Sequence, residues 1–350
     1  MPRVVRFVEP GVVSVVDYED EVLESSHVRI ETLYSGISAG TELTAYRGSN
    51  PYTSKRWDES TRMFMSDEAS FSYPIDGWGY EEVGRVSEIG SEVRGVQVGD
   101  VIYGTWGHRS TLTAPSEWAA GRVLPTDADP RVGLFSRIAA IALNGVLDAD
   151  IHVGESVAVF GQGVPGLIAG QLARLNGATV IAVDALPKRL ELAVRLGAHH
   201  VIDVSSANAG EAIKALTQGR GADVSIEFTG SYRALHEAIR STAYNSRVVA
   251  CGFFQGEGMA LFLGEEFHHN RIEVVCSQIS GVNPRLDHRW NLDRLERTVM
   301  SLAAEDKIDL LSLITQVFPA EKAAEAFALL ATSPQDAVQV VLDFSDGATP

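Results

Sequence analysis

The sequence predicts an α/β protein in two parts: a doubly wound parallel sheet of six strands, and an all-β, barrel-like module. Three observations carry this. Short β-like runs separated by glycine follow one another from about Val4 to Leu124, and from about Leu134 apolar runs alternate with helix-like stretches. After Gly281 a helix-like segment leads into a tail that ends on a strand-like run. Strands alternating with crossover helices make a parallel sheet, whereas closely spaced strands broken by turn residues make a barrel or sandwich. The domain reading is residues 1–133 for the β-module, 134–281 for the α/β unit and 282–350 for a return to the first.

In chain order, "VVSVVDY", "HVRIETLYSGIS", "EEVGRVSEIG" and "GDVIYGT" supply strands of the β-module. Tyr46–Ser72 interrupts them with Ser, Asp, Arg and aromatics in no clear period, which reads as a lid or binding loop, or as a solvated loop. The six strands of the second unit are "VAVF", "TVIAVD", "HHVIDV", "DVSIEF", "SRVVAC" and "IEVVCS". "PGLIAGQLARLN", "PKRLELAVRLG", "GEAIKALTQ" and "YRALHEAIRST" are the helices between most of them. The tail from Ser312 to Phe344 reads as one more helix and a closing strand.

The sharpest motif is Gly161-Gln162-Gly163-Val164-Pro165-Gly166, placed between an apolar strand and a helix, with a second strand closing on Asp184. Each residue has a physical task. Gly161 makes the tight turn, Gly163 lets backbone approach a pyrophosphate, and Gly166 permits close packing of helix on strand. The helix N-terminus offers free N–H groups and a favourable dipole to that anion. Asp184, about 20 residues on, is placed to accept the ribose hydroxyls of NAD and to repel the 2′-phosphate of NADP, with Lys188 and Arg189 nearby moderating that preference. Strand, helix, second strand and acid together point to a Rossmann dinucleotide site with NAD as the expected cofactor, the alternative being an ordinary βαβ turn that binds nothing.

Bulk composition limits the rest. A net charge of −17 argues against nucleic acid and anionic membranes as partners. No apolar run of the roughly 18–20 residues that span a bilayer is read in the sequence. The N-terminal stretch reads as alternating strands rather than a signal peptide. The two cysteines, Cys251 and Cys276, lie in apolar runs without CxxC context and read as buried, reduced thiols, which makes the cytoplasm the expected place.

"SGIS" at Ser35–Ser38, "GYEEVGRVSEIG" at Gly79–Gly90, "VGDVIYG" at Val98–Gly104, the glycine motif and "EFTG" at Glu227–Gly230 together resemble the medium-chain alcohol dehydrogenase/reductase superfamily, over essentially the whole chain. The resemblance is nearest to a branch of sorbitol/threonine dehydrogenase type that includes proteins similar to hydroxyethyl-bacteriochlorophyllide dehydrogenase. It implies a GroES-like β-barrel catalytic domain beside the Rossmann unit, and a homodimer or homotetramer formed by edge pairing of "IEVVCSQ". It also implies cofactor contacts at Thr229, Gly252 and Phe253, and at Ser277 and Gln278 near the nicotinamide, in addition to Gly161, Gly163, Val164, Pro165, Gly166, Asp184 and Arg189.

Many relatives hold a catalytic zinc through a cysteine, the histidine of a "GHE" motif and a later cysteine or acid. Those positions are here Ser38, Tyr80 and Arg137, which implies a zinc-free member with no metal site. Tyr80 then stands where a group is needed to polarise the substrate oxygen, with Arg137 either lowering its pKa or forming a surface ion pair. Ser38 and Thr41 either relay a proton or cap the helix that begins near Gly40. Glu42 is either base or sugar-hydroxyl acceptor, or a first-turn acid. His108 is either a base near the substrate or a hydrogen-bonded strand histidine. His268 and His269 are either surface residues or substrate contacts, and Trp57, Trp78 and Trp106 are candidate pocket walls.

The expected activity is zinc-independent, NAD-dependent hydride transfer with the secondary alcohol or ketone of a polyol, sugar or sugar-like small molecule. A zinc-free quinone or enone reductase using NAD(P)H, and an inactive dinucleotide-binding sensor, are the alternatives.

Overall fold

The computed structural model describes residues 1–66 and 68–345, so parts of the insertion and of the tail reading lie outside the described residues. The chain divides into two compact units, residues 1–137 with 310–350, and residues 138–309. The sequence reading returned the chain to the first unit at 282. The structure instead keeps residues 282–309 with the second.

The first unit opens with β1 (Arg3–Glu9), β2 (Val12–Asp17) and the long β3 (His27–Ile37), followed by α1 (Ala39–Tyr46). The Tyr46–Ser72 insertion contains a small hairpin of β4 (Arg56–Asp58) and β5 (Met63–Met65). Its aromatics pack on one another, Trp57 with Phe64 at 5.1 Å and Tyr52 with Phe71 at 5.9 Å between ring centroids. Then come β6 (Ile75–Asp76), β7 (Glu82–Ile89), β8 (Val101–Gly104), β9 (Thr111–Pro115) and the short α2 (Ser116–Ala120); α3 (Ser136–Ala149) belongs to the second unit from Ile138 onward.

In the second unit β10 (Ser156–Phe160), α4 (Val164–Leu175), β11 (Thr179–Asp184), α5 (Pro187–Arg195), β12 (His200–Asp203), α6 (Ala209–Leu216), β13 (Ala222–Glu227), α7 (Tyr232–Ser241), β14 (Thr242–Ala250) and β15 (Glu273–Cys276) follow in turn. All six strands pair in parallel in the order β12-β11-β10-β13-β14-β15. Helices on both faces bury the central strands, which explains why β10 is almost continuously apolar and β13 almost continuously buried. Strand order reverses between β10 and β13, the switch point where ligands bind in such sheets. The unit ends with α8 (Leu292–Ala304).

The chain then re-enters the first unit as β16 (Ile314–Pro319), α9 (Ala323–Thr332) and β17 (Gln339–Asp343). The tail therefore adds two parallel strands around a helix, where the sequence reading saw one strand. β17 inserts between β16 and β3, so the larger sheet runs β16-β17-β3-β7-β8, with β9 pairing the other half of β3. Phe327 of α9 is fully buried and meets Phe7 edge-on at 5.0 Å and Tyr46 at 5.9 Å.

Two further expectations need correction. Pro130–Ala149 is helical, long and apolar enough to cross a membrane, and the sequence reading missed it; most of it is buried inside the fold, as in a core helix. Cys276 is exposed at the end of the sheet's edge strand, not buried.

Because Phe327 joins the tail to the first strands, Phe327→Ala should cost about 3–5 kcal/mol of stability, read as a lowered midpoint in denaturant unfolding.

Candidate functional site

At the carboxyl end of β10 the glycines do different work. Gly161 has φ +88°, and a Cβ on it would lie 2.7 Å from Thr229 Cγ2. A Cβ on Gly166 would lie 1.8 Å from the Gly161 carbonyl oxygen, so α4 reaches β10 only because that side chain is missing. Gly163 differs. Its φ is −75°, and a Cβ there would meet nothing closer than the Arg189 guanidinium at 3.9 Å. Neither backbone nor neighbours demand glycine at 163, which leaves room for a ligand at the uncapped start of α4 as the reason for it. Val164 and Pro165 form that first turn, and Pro165 has no N–H to leave unsatisfied.

Asp184 closes β11, and its carboxylate accepts the N–H groups of Gln162 at 2.6 Å and Leu186 at 2.9 Å. Half-buried Arg189 lies beside it. Burial lowers the guanidinium pKa, while the Asp184 charge works the other way. Thr229, Gly252 and Phe253 follow β13 and β14 on the same edge, and a Cβ on Gly230 would lie 2.7 Å from the Phe253 carbonyl oxygen. Ser277 is buried after β15, with Asn144 donating to its hydroxyl at 3.2 Å, whereas Gln278 is exposed and accepts from Ser280 N–H. The structure thus brings the predicted dinucleotide residues to one edge of one sheet. These groups fit a dinucleotide.

Glu227, quoted in the sequence only as part of "EFTG", is the residue that reading missed. It is fully buried, and its carboxylate accepts the Thr229 N–H at 2.6 Å, the Thr229 hydroxyl and the Gly230 N–H at 3.2 Å. Burial pushes its pKa up to about 7 against those bonds. An acid closing a strand two residues before Thr-Gly was the available signal.

In the first unit, Ser38 is the N-cap of α1 but its side chain does not cap. Its hydroxyl bonds to that of Tyr80, and Thr41 Oγ1 lies 3.5 Å from the same phenol. Tyr80 is half-buried. Burial, then the charge of Glu81, raises the phenol pKa. The groups acting on it are the carboxyls of Glu81 and Glu42, which raise its pKa, in place of the cation expected from Arg137 in the first turn of α3. Tyr80 is therefore a protonated donor near neutral pH and not a phenolate base.

Glu42 and His108 also need correction as candidate substrate contacts. Both are 0% exposed and bind each other, His108 Nε2 to Glu42 Oε2 at 2.6 Å. The other Glu42 oxygen accepts the Ser38 N–H at 2.9 Å, which fixes the turn that carries the Ser38–Tyr80 pair. His108 Nδ1 meets Ser35 Oγ at 2.6 Å, Ser35 donates to Glu82 at 3.1 Å, and Glu82 accepts the Trp106 N–H at 2.6 Å. Burial disfavours charge on His108, but Glu42 and then Glu82 outweigh it and hold its pKa above the usual value. Trp106 is correspondingly a core residue, buried with its indole N–H on Thr32.

The set at the zinc-ligand positions does not fit that metal. Ser38 and Tyr80 are hydroxyls engaged with each other, and tetrahedral zinc sites use thiolate, imidazole or carboxylate. The neighbouring Glu81 carboxyl turns toward Gly36 and Gln339, and burial, then Glu42 and Glu82, pushes its pKa well above the carboxylate range. Among the described residues, one group of three ligand-type side chains comes together, His236, Glu265 and Glu266 in the second unit. There Arg240 donates to Glu266 at 3.2 Å. Elsewhere, His199 accepts the Val180 N–H at 3.0 Å, while His268 and His269 are exposed.

Residues 165–294 match the zinc-binding dehydrogenase family. The D-guloside 3-dehydrogenase of Escherichia coli K12 is 30% identical over 326 residues, covering 91% of this chain and 93% of its own. A zinc-binding dehydrogenase of Sinorhizobium meliloti 1021 bound to NADP has TM-score 0.79 at 23% identity, covering 98% of this chain and 99% of its own. A short chain alcohol dehydrogenase of E. coli CFT073 with NADH has TM-score 0.76 at 19% identity, covering 98% and 99%.

Glu42→Ala would leave the buried imidazole without its counter-charge. It should cost about 3–5 kcal/mol in urea unfolding, and Glu42→Gln clearly less.

Proposed function

Since the chain belongs to the zinc-binding dehydrogenase family of the medium-chain dehydrogenase/reductase superfamily, and is thus an oxidoreductase acting on an alcohol, we propose that it is an NAD-dependent dehydrogenase that works without zinc on a secondary alcohol of a polyol, sugar or glycoside. The observation that carries the cofactor half is Gly163, a glycine that its own fold does not require. NAD is favoured over NADP by the Asp184 carboxylate at the end of β11, held in place by two backbone N–H groups. The sugar-like substrate class rests on the likeness to a D-guloside 3-dehydrogenase over 91% of the chain.

When bound, the nicotinamide supplies or accepts the hydride. The chain's own residues supply the proton chemistry. Tyr80, protonated near neutral pH, donates a hydrogen bond to the substrate oxygen and gives up its proton as a carbonyl is reduced. Ser38, bonded to the same phenol with Thr41 alongside, passes a proton back to it and regains its own from solvent. In the oxidative direction the proton moves the other way. The raised pKa of Tyr80 means that this direction gains as pH rises into the alkaline range.

Three measurements test the reading. Gly163→Ala should fold with a wild-type melting temperature and lose at least tenfold in NADH affinity by fluorescence titration, because the added methyl enters ligand space alone; unchanged affinity would refute the cofactor assignment. Tyr80→Phe should lower kcat on an active member of a polyol and glycoside panel by roughly 100-fold or more while binding NADH normally. One tightly held zinc per chain, with activity abolished by its removal, would overturn the zinc-free reading.

A further inference from the structure

We propose that Glu227 is a positioning residue whose carboxylate locks together the turns after β13 and β14 and so sets the affinity for the dinucleotide. This rests on the dinucleotide reading of the second unit and goes beyond it, because Glu227 belongs to no recognised part of the glycine motif.

The geometry is that of a junction. The side chain gathers Thr229 N–H, Thr229 hydroxyl and Gly230 N–H into one turn. Its main-chain carbonyl accepts the N–H groups of Cys251 at 2.8 Å and Gly252 at 2.9 Å, anchoring the turn after β14 to the same residue. The two turns touch directly: a Cβ on Gly252 would lie 2.2 Å from Gly230 N and 2.6 Å from Glu227 Oε2. Thr229 in turn bounds the glycine turn, since a Cβ on Gly161 would lie 2.7 Å from its methyl carbon. Three cofactor-facing turns thus pack around one carboxylate at the switch point of the sheet.

Three donors converge on the ionised carboxylate, so protonation removes an acceptor and releases one of them. Burial raises Glu227 to about 7, so this exchange falls in the neutral range. The titratable neighbour that feels its charge is the Cys251 thiol at the end of β14, which burial pushes up and Glu227 pushes further, keeping it a neutral thiol. NADH affinity is therefore lost as pH falls through about 7.

The experiment is fluorescence titration of NADH against wild type, Glu227→Gln and Thr229→Val across pH 6 to 8.5, with melting temperatures alongside. Glu227→Gln puts an amide NH2 against a donor, so it should bind roughly tenfold more weakly at pH 8 and show no change in affinity around pH 7. Thr229→Val, which removes one donor and leaves the carboxylate, should weaken binding severalfold and retain the pH dependence. Wild-type affinity and pH profile in Glu227→Gln would overturn the proposal alone. If Glu227→Gln does not fold, unchanged affinity in Thr229→Val overturns it and weakened affinity supports it. Failure of the wild type to bind either NADH or NADPH would overturn this proposal together with the dinucleotide reading.

Discussion

All six strands of the second unit run in the same direction, and the rest of that unit follows from this constraint. Parallel neighbours cannot be joined by hairpins, so each connection must cross a face of the sheet, and the crossings cover both faces. Every carboxyl end then lies on one edge, where each chain must turn from strand into helix or loop. Around the switch point those turns approach one another so closely that Gly161, Gly166, Gly230 and Gly252 have no space for a side chain. Crowding of turns is therefore inherent in the topology, and a buried acid at their junction satisfies the N–H groups that the turns leave unpaired.

The first unit solves a different problem. It buries three carboxyl groups and one imidazole near a single turn, an arrangement that is costly unless charges pair and every donor is met. Glu42 and His108 pair, Ser35 and Trp106 N–H satisfy Glu82, and Glu81 is pushed toward its neutral form. The hydroxyls of Ser38 and Tyr80 stand on this platform without being part of its charge balance. Glu42 links the two, because one of its oxygens holds the imidazole and the other holds the Ser38 backbone.

Much of this was legible before any coordinates. The six strands and four crossover helices of the second unit stand where periodicity placed them, because strands buried on both faces are apolar throughout and amphipathic helices repeat every 3.6 residues. The glycine motif was legible because Gly161 and Gly166 answer local demands of turn and packing. Less was readable in the tail, where β16 is a six-residue edge strand with alternating exposure and little to separate it from a loop. Pro130–Ala149 was missed as a long apolar helix because Arg131, Arg137, Asn144 and Asp148 interrupt its large apolar residues, so no continuous apolar run marks it.

What the sequence by itself determined is the dinucleotide half, since its chemistry is written in contiguous residues whose roles follow from local geometry. What only the tertiary structure decided is the polar half. Glu42 and His108 are separated by 66 positions, and nothing along the chain says that they meet. Nor does a tyrosine's sequence context reveal whether a cation or two carboxyl groups will face it, because a pKa is set by burial and by neighbours that folding delivers. Glu227 falls between the two cases. Its partners lie two and three residues away, but the burial that makes its carboxylate matter comes from the whole sheet.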